Sequence, residues 1–146
     1  MDNVILNKIA IIENCLRRID EEYKGHEGEI EINYTKQDSI VLNLQRACEA
    51  SIDLSTRLIR LKKLGIPQGS RNVFVLLEQS KILSPELSLR MQSMVGFRNI
   101  AVHDYQKLNF AILRSILNNH LDDFRNFIQS IKNESMEDRP EKDCDP

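Results

Sequence analysis

Residues 84–105 read SPELSLRMQSMVGFRNIAVHDY, and the rest of the chain is interpreted around them. Ser84-Pro85-Glu86 is a strong helix start, because it combines a capping serine, a proline in the first turn and an early acid. At 100° per residue, one face of this helix carries Leu87, Met91, Met94, Arg98, Ala101 and Tyr105. Arg98 interrupts that apolar stripe, where an unpaired guanidinium would be costly. The stretch therefore predicts a helix that carries a functional site or a polar interface.

A second stripe on the same predicted helix is small and polar, and it consists of Gln92, Gly96, Asn99 and His103. Gly96 has no side chain, so another backbone could approach closely there. Arg98 and His103 are five residues apart and point about 140° apart on a regular helix. They can converge only if the helix unwinds near Val102 or if two chains each supply part of the site. Both possibilities are open at this point.

Apolar residues in the flanking segments also recur at helical spacing, and glycine and proline are few. These patterns predict an all-α, up-and-down bundle of about five helices. The predicted helices span residues 2–24, 36–64, 71–79, 85–103 and 110–133, with Thr35, Ser70, Ser84 and Asn109 as capping residues. After Glu134 the chain is acidic, contains proline and has no periodicity. We therefore predict a helical domain at 1–134 and a disordered acidic tail at 135–146.

The charge balance gives no sign of a general nucleic-acid binder. The whole chain of 146 residues has a net charge of −2. Residues 135–146 hold five acids and two bases and so have a net charge of −3, which leaves about +1 for residues 1–134. The sequence therefore has no excess of positive charge, and an RNA substrate would have to be held by small local groups of basic residues.

The three cysteines, Cys15, Cys48 and Cys144, are odd in number and show no metal-like spacing. Cys15 and Cys48 fall on apolar faces of predicted helices, so buried free thiols and a reducing compartment are expected. The N-terminus runs directly into an amphipathic helix, and no apolar run approaches membrane-spanning length. We predict a cytoplasmic protein with no membrane association.

The predicted second helix carries a polar stripe whose role is open. Its members are Asn43, Arg46, Glu49 and Asp53. One interpretation is a solvated face with ion pairs between successive turns, each worth a few tenths of a kcal/mol. The other is a wall of the cleft that contains Arg98. The first interpretation is favoured for any single residue of the four.

The segment RNIAVHDY, residues 98–105, matches the pattern of Arg, four residues, His, any residue and Tyr in HEPN-domain proteins. Two further blocks, DSIVLNLQRACEASID at 38–53 and LGIPQGSR at 64–71, resemble the HepT-like toxins within that group. The three blocks occur in the right order, and the resemblance covers roughly residues 1–134. It implies a helical bundle and a homodimer with the motifs at a shared cleft.

The candidate catalytic residues are Arg98, Asn99 and His103. The sequence has no phosphate-binding glycine loop, no H-E-x-x-H helix and no Cys/His cluster, so it gives no support for metal or nucleotide-hydrolase chemistry. These three residues suffice for metal-free RNA cleavage, because the substrate's own 2′-hydroxyl is the nucleophile. His103 can act as general base or acid, Arg98 can hold the scissile phosphate, and Asn99 can orient the imidazole or the ribose.

The expected product of this chemistry is a 2′,3′-cyclic phosphate, formed without a cofactor of the chain's own. The resemblance implies the same roles for Arg98 and His103, and an mRNA or tRNA substrate. It implies that the chain is the toxin of a type VII-like toxin–antitoxin pair. Two other classes stay open: a catalytically inactive HEPN adaptor, and a nucleotide-sensing module that binds a nucleotidyltransferase.

Tyr105 has two interpretations. It can simply be an aromatic residue that closes the end of the helix. The resemblance instead implies that an MntA-like minimal nucleotidyltransferase, the antitoxin, transfers AMP onto Tyr105 and uses ATP and Mg²⁺ to do so. An adenylate adds negative charge beside Arg98, where it would compete with the RNA phosphate. The expected assembly is a homodimer, or a larger hetero-oligomer with the antitoxin.

Overall fold

The computed structural model describes the backbone of residues 1–143, together with all their side chains except those of Lys107 and residues 136–143. In that part the chain forms six α-helices and one 3₁₀ turn and contains no strand, which confirms the predicted all-α class. The helices are α1 (Asn3–Tyr23), α2 (Tyr34–Lys62), α3 (Asn72–Gln79), α4 (Pro85–His103), α5 (Phe110–Asn119) and α6 (Leu121–Asp143). No described helix is long and apolar enough to cross a lipid bilayer.

The helix predicted at 110–133 is in fact two helices, α5 and α6. His120 leaves the helical region with φ −123° and ψ 0°, and its carbonyl accepts a bond from the Asp123 backbone N–H at 3.1 Å. The predicted end at Asn133 is also wrong, because α6 continues to Asp143. The predicted disordered tail, residues 135–146, begins inside this helix, and residues 144–146 lie outside the described part.

Two of the four predicted capping residues are confirmed, and the other two, Thr35 and Ser70, do not cap their helices. Asn33 caps α2 instead of Thr35, since its side-chain oxygen accepts a bond from the Lys36 backbone N–H at 3.0 Å. Asn33 comes two residues earlier, so α2 also begins earlier than predicted. Ser84 and Asn109 cap α4 and α5 as predicted. These side chains satisfy backbone donors that have no partner within their own helix.

A single apolar core joins the helices and holds α4 in place. Phe74 of α3 meets Phe127 of α6 edge to face, with ring centroids 5.8 Å apart. Met91 of α4 is fully buried, and α4 packs against α2, α3 and α6. This packing lays the C-terminal half of α4 beside α2.

Two of the cysteines lie in this core. Cys15 and Cys48 are buried free thiols, as predicted, and burial raises the pKa of Cys48 to about 12. Such a high pKa keeps the thiol protonated and inert. Cys144 lies outside the described residues.

Candidate active site

Arg98 lies at the centre of the site, and its guanidinium is held at both ends. The side chain is only 17% exposed, and its Nη1 donates to Glu49 Oε1 on α2 at 2.8 Å. Its Nη2 donates to Ser70 Oγ at 3.0 Å. These two contacts offset the cost of placing a cation in an apolar stripe. They fix the plane and direction of the guanidinium before any substrate arrives.

Of the polar stripe on α2, Glu49 is the member with a contact to the motif in the described structure. Asn43 is buried and donates to the Ser39 carbonyl at 2.8 Å. Asp53 pairs with Lys8 of α1 at 3.4 Å, and Arg46 is exposed. The interpretation as a cleft wall therefore holds for Glu49, while the other three residues fit a structural or solvated role.

Ser70 and Arg71 belong to the site, although the sequence pattern did not reveal it. Ser70 was predicted to cap α3, but α3 has no side-chain cap and Ser70 accepts from Arg98 instead. The Arg71 guanidinium lies over Gly96, because a Cβ added at Gly96 would be 2.9 Å from Arg71 Nη2. Within one chain, Gly96 therefore makes room for Arg71.

An open groove of about 390 Å³ brings these groups together. Ser70, Arg71, Arg98 and Asn99 all line it. Arg71 is exposed and has no ion pair among the described residues. The groove thus offers a second guanidinium close to Arg98, which suits a phosphate-bearing ligand.

Asn99 and His103 are exposed, and neither makes a side-chain hydrogen bond in the described structure. α4 stays helical through His103, so the helix does not unwind near Val102. Arg98 and His103 therefore keep their separation of about 140° around the helix axis. One chain by itself does not bring these two residues together.

Tyr105 follows the end of α4, in the 3₁₀ turn Tyr105–Lys107 that replaces part of the loop predicted at 104–108. The residue is 38% exposed. The hydroxyl donates to Asp38 Oδ1 at 2.7 Å and lies 3.3 Å from Gln37 Oε1, both near the N-terminal end of α2. Desolvation, together with the Asp38 carboxylate, raises the pKa of Tyr105 to about 12. The residue thus has a held hydroxyl on a partly open surface.

Exposed apolar side chains flank the motif. Ile100 and Val102 of α4 are 42% and 44% exposed, and Ile112 of α5 is 50% exposed. Ile100 and Ile112 also line a groove of about 530 Å³ between α4 and α5. Ile100 and Ile112 thus form an apolar patch beside the polar groups of the motif, which is typical of a protein–protein contact surface.

Among the described residues, no three His, Cys, Asp or Glu side chains are grouped in a way that would hold a metal ion.

Comparison with protein families and known sequences gives a consistent result. The family described as "Ribonuclease HepT-like" matches residues 12–131. The mRNA nuclease HepT of Shewanella oneidensis is 48% identical over 134 residues, which cover 92% of this chain and 100% of that protein. Both matches include the segments that carry Glu49, Arg98 and Tyr105.

Solved structures of related proteins have the same fold. The tri-AMPylated HEPN toxin of Shewanella oneidensis, in complex with an MNT antitoxin, has a TM-score of 0.87 at 47% identity, covering 91% of this chain and 99% of that chain. The Bacillus subtilis cytosolic protein YutE, of unknown function, has a TM-score of 0.79 at 12% identity, covering 92% and 90%. The second similarity concerns the fold alone.

Proposed function

The chain belongs to the HepT-like ribonuclease family, and on that premise we propose that Arg98, Asn99 and His103 cleave RNA without a metal ion. The observation that carries the proposal is the fixed guanidinium of Arg98, held by Glu49 and Ser70 beside an open groove. These two contacts use two of its five N–H donors, so donors remain for a phosphate.

The proposed reaction is an internal transfer within the RNA. His103 accepts the proton of the 2′-hydroxyl, and the 2′-oxygen attacks the adjacent phosphorus. The bond from phosphorus to the 5′-oxygen breaks, the 5′-oxygen takes up a proton, and a 2′,3′-cyclic phosphate is left. Arg98 stabilises the charge that develops on the phosphoryl oxygens. Asn99, one turn before His103 on the exposed face of α4, orients the imidazole or the ribose.

The active form in this proposal is a homodimer, in which Arg98 of one chain and His103 of the other share a cleft. The unbroken helix supports this arrangement, because the two side chains diverge by about 140° within one chain. Ile100 of α4 and Ile112 of α5, which line one groove, offer exposed apolar surface for the contact. A two-fold axis beside α4 would place two such clefts side by side.

The proposed substrate is mRNA, since the relative from Shewanella oneidensis is an mRNA nuclease; tRNA is the second candidate. The proposed partner is an MntA-like nucleotidyltransferase that acts as antitoxin, because the solved relative is a tri-AMPylated toxin in complex with an MNT antitoxin. The proposed acceptor is Tyr105, a partly exposed residue that lies two positions beyond His103. ATP and Mg²⁺ would be used by the partner.

Cleavage of a defined RNA in the presence of a chelator tests the metal-free mechanism. We expect full activity in excess EDTA and products that end in a 2′,3′-cyclic phosphate, identified by mass spectrometry. The same RNA with a single 2′-deoxy nucleotide at the cleaved position should resist cleavage there, because the nucleophile is missing. The matched control is a 2′-deoxy nucleotide at an uncleaved position.

Loss of activity in EDTA, or cleavage at the 2′-deoxy position, would contradict this mechanism. Failure to cleave any RNA, with retained binding of the nucleotidyltransferase, would favour the inactive adaptor instead.

A further inference from the structure

The Tyr105 hydroxyl is held by two side-chain oxygens near the N-terminal end of α2. The contact with Asp38 Oδ1 is the shorter, at 2.7 Å against 3.3 Å for Gln37 Oε1. A phenol has a single proton to donate, so the shorter contact identifies Asp38 as its main acceptor. These residues are 67 positions apart in the chain, so the contact is a product of the fold.

Gln37 is locked in an orientation that supports this contact. Its side chain is buried, and its Nε2 donates to the Ile30 carbonyl at 3.2 Å, which turns Oε1 toward Tyr105. Asp38 itself is exposed and has no ion pair with a described lysine or arginine. No cation among the described residues therefore competes with the Tyr105 hydroxyl for this carboxylate.

Transfer of AMP onto a tyrosine requires the phenol to lose its proton as the new bond forms. Burial and the neighbouring carboxylate raise the pKa of Tyr105 to about 12, so the free phenolate is scarce near neutral pH. A nucleophile of this kind is activated in enzymes by an adjacent general base. A base on the modified chain itself would meet this need.

We propose that Asp38 is the general base for the AMPylation of Tyr105, so that the toxin supplies a catalytic residue for its own modification. The inference rests on the proposed function, in which a nucleotidyltransferase modifies Tyr105. Tyr105 Oη attacks the α-phosphorus of ATP held by the partner, and its proton passes to the Asp38 carboxylate. The bond from the α-phosphorus to the bridging oxygen breaks, and pyrophosphate leaves with the electron pair.

The test follows AMP addition by intact-mass spectrometry, with the full-length chain, its purified operon nucleotidyltransferase, ATP and Mg²⁺. Asp38→Asn keeps an oxygen that can accept a hydrogen bond but loses the base, so we expect AMP addition to slow by about 10²-fold or more. Asp38→Glu should recover much of the rate. Asp53→Asn, the same change on the same helix but beside Lys8, should match wild type.

A pH series separates catalysis from packing. Wild type should react at a nearly constant rate across the neutral and mildly alkaline range. Asp38→Asn should speed up with rising pH, because only the free phenolate then reacts. Helical circular dichroism and co-elution with the partner show whether the variant folds and binds.

Two results would overturn the inference while Tyr105 remains the acceptor. One is wild-type AMP addition to Asp38→Asn at every pH. The other is slow addition with the wild-type pH dependence and no recovery in Asp38→Glu, which would make the contact a packing feature. A wild-type chain that gains no AMP at all would instead overturn the proposed function on which the inference rests.

Discussion

Arg98→Ala and His103→Ala are each expected to reduce RNA cleavage by about 10²-fold or more, which is the usual effect of removing a general base or a transition-state donor. His103 is exposed at the end of α4, so its removal leaves the core intact. Removal of Arg98 frees Glu49, whose side chain is 42% exposed and can be solvated by water. Both variants should therefore keep native helical circular dichroism while they lose activity.

Cleavage of a labelled RNA, together with growth inhibition on expression, measures both effects. His26→Ala and Arg60→Ala are matched controls, since His26 lies in the loop after α1 and Arg60 is exposed near the C-terminal end of α2. Both controls should behave like wild type. Full activity of either Arg98→Ala or His103→Ala would refute the role assigned to that residue.

Tyr105→Phe is expected to keep RNA cleavage but to escape control by the nucleotidyltransferase. The substitution keeps the ring and removes only the hydroxyl that would receive AMP. The lost hydrogen bond to Asp38 costs about 1 kcal/mol, because the exposed carboxylate can bond to water instead. The expected direct competition with RNA for Arg98 of the same chain is wrong, because Tyr105 contacts α2 at Asp38 and Arg98 contacts it at Glu49, eleven residues and roughly 16 Å further along the helix. In wild type, the added AMP is therefore expected to act on the shared cleft through its negative charge and its bulk.

Intact-mass spectrometry after co-expression should show AMP on wild type and none on Tyr105→Phe. Tyr34→Phe is the matched control and should still gain AMP, although Tyr34 is 74% exposed against 38% for Tyr105. If exposure alone selected the acceptor, this control would lose the modification. Neutralisation of Tyr105→Phe with no mass change on either chain would mean that the partner acts by binding alone.

Periodicity and capping residues predicted most of the helices, because they are local properties of the chain. The same apolar periodicity does not predict the helix break at His120. Leu117, Leu121 and Phe124 remain buried on both sides of it, so one residue outside helical geometry does not disturb the apolar pattern. The apolar pattern therefore shows which residues are buried, but it does not show whether the helix is continuous between them.

The site was predicted only in part, because its partners come from distant segments. Residues 98–105 contain the reactive groups, but the sequence could not tell whether Glu49 faces water or Arg98. Ser70 could equally cap α3 or accept from Arg98, and only the packing of α3 on α4 decides between them. The contact between Asp38 and Tyr105 has no local signal either, since it depends on how α4 lies beside α2.

The central claim is that Arg98 and His103 from two chains form one ribonuclease site, and a heterodimer of the two inactive variants tests it most directly. Arg98→Ala and His103→Ala chains are co-expressed with different affinity tags, and the mixed dimers are isolated by two successive affinity steps. In each mixed dimer one cleft lacks both residues and the other is complete, so we expect about half of the wild-type RNA cleavage per dimer. Mixed dimers that form and remain as inactive as either single variant would contradict the shared site.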